Sequence, residues 1–203
     1  CITGDSVKAG DQQNTKAVHE FESVKLLQQI KDFNDGIDPS FGILSDKAIN
    51  IFAGAAADPS CSNLRSLRMR TEKKKEAGAK FLQTQMIMDK KFLYSFCKDI
   101  SEPIDIPVIA GVFLLKSYKN ALFINKNVPG ANIPNDILTR LENAKDPLEE
   151  GINIAAEQAR DFMEISQGVH IMAVKSEHLI PEILRRSGIS QEYLLNQSLT
   201  TQP

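Results

Sequence analysis

The segment Ile106–Phe113, Ile-Pro-Val-Ile-Ala-Gly-Val-Phe, is apolar throughout and rich in β-branched residues. That is the pattern of a strand covered by other layers on both faces, and such strands belong to parallel sheets. A parallel pair needs a crossover, usually a helix, and the chain supplies both parts. Cys1–Gly4, Ile49–Ala55, Lys80–Thr84 and Val169–Val174 read as further short strands. Between them, helices are predicted over about 20–33, 63–76, 90–98, 118–125, 135–144, 147–166 and 180–186. Phe21, Val24, Leu27 and Ile30 give the first its apolar face, and Gly78 and Gly188 can stop two of the others. The helix from Pro147 is the best defined. Pro147 suits a first turn, Glu149 and Glu150 complement the helix dipole, and Leu148, Ile152, Ala155, Ala156, Ala159 and Phe162 form one stripe, with Gly168 placed to end it.

Regular alternation of this kind predicts a parallel α/β fold. Two architectures fit, a (β/α)8 TIM barrel and an open doubly wound sheet. No strand–turn–helix carries GxGxxG, and polar residues (Asp5, Asp58, Gln85, Lys116) follow several strands, where barrel enzymes place their sites. The barrel is therefore preferred. The strands found would be about the fourth to the eighth, which leaves three strand–helix units, on the order of 90 to 100 residues, to come before them. The opening Cys-Ile-Thr-Gly-Asp, without an initiator Met, fits a lost upstream segment. Residues 1–189 are read as a partial barrel and 190–203 as a polar tail with few core residues. Alone, such a piece is expected to leave strand edges unpaired and to be inactive.

Composition narrows the function classes. A net charge of −2 gives no basic field, so nucleic acid is not an expected partner. No run of 18 or more apolar residues and no signal peptide is seen, so neither is a membrane. Cys1, Cys61 and Cys97 are odd in number, far apart and without CxxC spacing, which fits reduced thiols in a cytoplasmic protein and implies no structural metal. GxSxG, HExxH and Cys–His signatures are missing, so hydrolysis has no support.

Several residues could carry chemistry. Asp5 follows Gly4 at the end of the first strand, where a carboxylate can face a ligand, although a loop aspartate or a helix cap suits the position as well. Gln85 closes a strand in Leu-Gln-Thr-Gln, and its amide can donate to and accept from a heterocycle edge or simply be solvated. Arg65, Arg68, Arg70, Lys73, Lys74 and Lys75 share one predicted helix with only Glu72 to offset them. Arg70 and Lys74, four apart, repel unless an anion relieves them; the alternative is a solvated basic face. Without a P-loop, the patch suits a bound diphosphate rather than phosphoryl transfer. His170 reads as a hydrogen-bonded core histidine, and His19 and His178 as exposed.

From Cys1 to about Ile189 the chain resembles the bacterial-type flavin-dependent 5,10-methylenetetrahydrofolate reductases. The resemblance is carried by Cys-Ile-Thr-Gly-Asp at 1–5, Phe-Glu-Ser-Val-Lys-Leu-Leu at 21–27 and Phe-Ala-Gly-Ala-Ala-Ala-Asp-Pro at 52–59. It continues through Glu-Ala-Gly-Ala-Lys-Phe-Leu-Gln-Thr-Gln at 76–85, Pro-Val-Ile-Ala-Gly-Val at 107–112, Val-Pro-Gly-Ala-Asn-Ile-Pro at 128–134 and Gly-Val-His-Ile-Met-Ala at 168–173. What it implies is a (β/α)8 barrel with FAD across the carboxyl ends of its strands. The implied reaction is ping-pong: hydride passes from NAD(P)H or another donor to flavin, then to 5,10-methylenetetrahydrofolate, opened to an iminium, giving 5-methyltetrahydrofolate. A homo-oligomer is expected of the complete protein.

By the same resemblance, Asp5 would lie near flavin and folate, disfavouring charge on reduced flavin and favouring the iminium. Thr3 and Gly4 would touch FAD through their backbone, and Asp58, Arg70, Lys73 and Lys74 would hold its diphosphate, ribose and adenine side. Gln85 would contact pterin and nicotinamide, and Asn120 the folate. The family's catalytic Glu belongs to the first strand and is absent from this chain; Ser176 stands where some members have Arg, leaving Lys175 as the neighbouring cation. Two other classes share the features read here, a non-catalytic folate- or flavin-binding barrel fragment and a flavin-free barrel that transfers methyl groups from folate.

Overall fold

Three helical crossovers join four parallel strands whose order in space is their order in the chain. The computed structural model describes residues 1–2, 14, 16, 21–38, 40, 42–43, 49–128 and 130–189. Thr3, Gly4, Asp5, His19 and the tail from Ser190 lie outside these, and with them half of the first expected strand. The elements are α1 (Ser23–Asn34), a two-residue ribbon of β1 (Ile37–Asp38) with β2 (Gly42–Ile43), β3 (Gly54–Ala57), α2 (Leu64–Glu76) and β4 (Phe81–Met86). They continue with α3 (Lys90–Phe96), a π-helical turn (Cys97–Ser101), α4 (Glu102–Ile104), β5 (Val108–Phe113), α5 (Tyr118–Asn127) and α6 (Asn135–Asn143). Last come α7 (Pro147–Met163), β6 (Gly168–Met172), a 3-10 turn (Glu177–Leu179) and α8 (Ile180–Ser187).

The order β3-β4-β5-β6 bears on the two architectures. A doubly wound sheet reverses direction at a switch point, whereas a barrel adds each new strand on the same side. No reversal occurs among the described strands, an order consistent with an arc of a barrel. Ala55, Ala57, Leu82, Val108, Ala110 and Val112 on its convex face are buried with Leu27, Leu67, Phe96, Ala155, Ala159 and Phe162 of the helices.

The helices form where their caps and faces direct. Asp146 Oδ1 accepts from Leu148 and Glu149 N–H at 3.0 and 3.1 Å, and Asn63 Oδ1 from Ser66 N–H at 2.9 Å, which satisfies orphan donors at the starts of α7 and α2. Gly78 and Gly188, with φ of +109° and +77°, take the left-handed turns after α2 and α8.

Some expectations are corrected. The strand expected over Ile49–Ala55 begins only at Gly54, because Asn34 at the end of α1 claims the backbone of Ile51 instead: Asn34 Nδ2 donates to its carbonyl at 3.0 Å and Oδ1 accepts its N–H at 2.8 Å. β5 starts at Val108, since Pro107 has no N–H for a ladder. Its concave face is not fully covered, Ile109 and Phe113 being half-buried. The helix over 90–98 runs on through the π turn and α4 to Ile104. α7 ends at Met163, where the Ser166 hydroxyl takes the Phe162 carbonyl at 2.8 Å, and Gly168 opens β6 rather than closing the helix. Leu148 lies exposed beside the α7 stripe, and β6 stops at Met172, short of Val174.

Candidate functional site

Gln83 and Gln85 sit on either side of Thr84 in β4, and the strand is irregular between them. Gln83 pairs with Ile109 and Met86 with Gly111, so β4 spends three steps where β5 spends two. Such a bulge re-aims side chains and breaks the ladder locally. The Thr84 hydroxyl repairs the break, accepting from Gly111 N–H at 2.8 Å and donating to the Gln85 carbonyl at 2.7 Å. Only glycine fits opposite: a Cβ on Gly111 would stand 2.6 Å from Gln85 O and 2.9 Å from Thr84 O. Gln85 is consequently exposed at the carboxyl end of the strand.

Two depressions meet at that point. One, of about 500 Å³, lies on the concave face and is lined by Phe52, Phe81, Gln83, Gln85, His170 and Met172 among others. Here Gln83 Nε2 and His170 Nδ1 are 3.0 Å apart. The second, of about 240 Å³, lies between the turn after β3 and α2, lined by Asp58, Cys61, Arg70, Thr71, Lys74 and Gln85. Ala56 and Gln85 line both, so the two are continuous.

The smaller depression brings two cations, Arg70 and Lys74, to one wall. Lys74 Nζ donates to the Ala56 carbonyl at 2.6 Å. Burial holds the Lys74 ammonium below its ordinary pKa and the Arg70 charge adds to this, while Glu22 opposes both. Among the described residues neither Arg70 nor Lys74 forms a salt bridge, so the pair offers charge with no acidic partner in contact. Asp58, directly after β3, spends Oδ1 on Ser60 N–H at 2.9 Å. Gly130, at φ +80° in the α5–α6 connection, closes against its other oxygen, to which a Cβ would come within 3.0 Å. A third depression, of about 490 Å³, lies outside the sheet between α3, α6 and α7. There Arg140 pairs with Glu157 at 2.6 Å and Lys90 with Asp161 at 3.0 Å, so two of its cations already have acidic partners.

Of the residues expected in the site, Asp58, Arg70, Lys74 and Gln85 come together. Thr3, Gly4 and Asp5 lie outside the described residues, although Cys1 and Ile2 line the concave depression and the Cys1 nitrogen donates to Gly54 O at 2.5 Å. Lys73 is exposed and lines neither depression. Asn120 stands apart as well, its Oδ1 accepting from Lys116 N–H at 3.2 Å. Lys116 Nζ ties to the Val174 carbonyl at 2.6 Å, Lys175 is exposed at φ +58°, and Ser176 is buried. Arg68 is engaged by Glu72 at 2.9 Å. His170 is hydrogen-bonded as expected but half-exposed on the concave face rather than in the core, and His178 is exposed. Cys97 is buried, which pushes its thiol up to about 11 and makes it a poor nucleophile. Gln83, Thr84 and Gly130 were not singled out from the sequence; the Gln-Thr-Gln spacing was the available signal for the first two.

No helix among the described residues is long and apolar enough to cross a membrane. No curated protein matches the chain. A solved structure of an uncharacterized protein from Clostridium thermocellum, which binds two copies of 5-methyl-5,6,7,8-tetrahydrofolic acid, is similar in fold, with a TM-score of 0.52 and 20% identity. The match covers 67% of this chain and 52% of that one, so this chain spans about half its length. The sequence pattern of the methylenetetrahydrofolate reductases matches residues 1–188, which takes in β3 to β6, α2 and both joined depressions, and the chain belongs to the methylenetetrahydrofolate reductase family.

Proposed function

We propose that the complete protein reduces 5,10-methylenetetrahydrofolate to 5-methyltetrahydrofolate with FAD, drawing electrons from NAD(P)H or another donor. One observation carries this reading: a depression with two cations that form no salt bridge among the described residues opens, across Gln85, into a larger one floored by amide, imidazole and aromatic groups. The residues fit a dinucleotide cofactor. Arg70 and Lys74 would hold its diphosphate, where burial already penalises an unneutralised Lys74. Bound FAD would supply the hydride relay that no side chain of this chain can provide. Gln85, aimed by the Thr84 bulge, would take the edge of the pterin or nicotinamide, and Met172 and Phe81 would exclude water from one wall. Asp5 would favour the cationic iminium form of the folate.

Stopped-flow absorbance of the full-length protein tests this. The protein is expected to carry flavin colour that bleaches with reduced nicotinamide and returns with methylenetetrahydrofolate. Asp5→Asn is expected to slow the folate half-reaction roughly 100-fold and the nicotinamide one much less. A colourless protein that still binds folate overturns the reading in favour of a flavin-free folate barrel, the class to which the ligand of the Clostridium thermocellum protein lends weight.

A further inference from the structure

Gln83 and His170 face each other across the concave side of the sheet, from β4 and β6, with Gln83 Nε2 and His170 Nδ1 at 3.0 Å. With the amide NH₂ turned toward the ring it donates, and Nδ1 accepts. A neutral imidazole that accepts at Nδ1 carries its proton on Nε2. That second nitrogen has no hydrogen-bond partner among the described residues, and the half-exposed ring lines the larger depression. The register supports the pairing from outside the two side chains. β5 lies between β4 and β6, and it presents only Gly111, beside His170, and Ile109, beside Gln83, so no polar side chain intervenes.

We propose that Gln83 is a positioning residue: its amide holds His170 in the Nε2–H tautomer, which makes the floor of the depression a neutral hydrogen-bond donor. A neutral donor selects a ligand that presents an acceptor there, such as the carbonyl oxygen or ring nitrogen of a pterin-like heterocycle, over one that presents an exocyclic amine. The ligand's identity rests on the folate reading above; the tautomer does not. The opposite arrangement is chemically well defined. With the amide turned so that Oε1 faced the ring, Nδ1 would carry the proton and Nε2 would be an acceptor.

The test is histidine-selective ¹⁵N NMR of the full-length protein at alkaline pH, with the His170 signals identified by their loss in His170→Asn. The wild type is expected to show a bare Nδ1 and a protonated Nε2 without any ligand. Gln83→Leu is expected to mix the two tautomers and to weaken binding of 5-methyltetrahydrofolate roughly 3- to 10-fold, the net worth of one neutral hydrogen bond. A protonated Nδ1 in the wild type overturns the proposal. So does a Gln83→Leu protein with mixed tautomers and undiminished folate affinity. The wild-type spectrum decides the tautomer by itself, so a variant that folds poorly does not remove the test. A wild type that binds no folate contradicts the functional reading instead, and the tautomer then supports or overturns the role of Gln83 on its own.

Discussion

The two faces of the four-stranded sheet obey different rules. On the convex face Ala55, Ala57, Leu82, Val108, Ala110 and Val112 are buried under the helices, and position matters there through volume. The concave face carries Gln83 and Gln85 of β4 and His170 and Met172 of β6, of which Gln85 is exposed and the others half-buried. Strand geometry thus separates stability from chemistry by one residue. The bulge at Thr84 is where the rule bends, and it lies at the point where the two depressions join.

If the separation is real, substitutions on the two faces should give different kinds of loss. Leu82→Ala is expected to have the largest effect on stability, about 2–5 kcal/mol by denaturant unfolding, with ligand affinity of the folded molecules unchanged. Parallel loss of folate affinity would break the comparison. Thr84→Val should act on both faces at once. It leaves the buried Gly111 N–H without an acceptor, at a cost of about 1–3 kcal/mol, and lets Gln85 turn away, so folate binding should weaken as well. Arg70→Ala with Lys74→Ala should hardly touch folding yet weaken FAD roughly 10- to 100-fold, read by loss of flavin absorbance on dilution. Replacing Arg65 and Arg68 is the control; an equal loss there would mean that overall charge, not this face of α2, holds the anion.

Much of this was legible in the sequence, and the parts that were not have physical reasons. β5 and α7 were readable because burial and capping speak through local pattern, as Ala110 and Asp146 illustrate. The start of β3 was not, because it is set by Asn34, which competes for the backbone of Ile51 from 17 residues away. The face shared by Arg70 and Lys74 followed from helical spacing, whereas the exposure of Lys73 depends on how α2 packs on β3. Gln83 and Thr84 stayed hidden because their roles need partners on β5 and β6, His170 and Gly111, that only the assembled sheet brings near.

The central claim is that ligands bind across the carboxyl ends of β3 and β4 and not on the helical exterior. Hydrogen–deuterium exchange of the full-length protein, with and without FAD and 5-methyltetrahydrofolate, tests it most directly. The account predicts slower exchange at residues 56–61 and 83–86, and none of that change at 134–140 and 157–161, which line the outer depression. Protection confined to the outer segments, or no protection at the β3 and β4 ends, would contradict it.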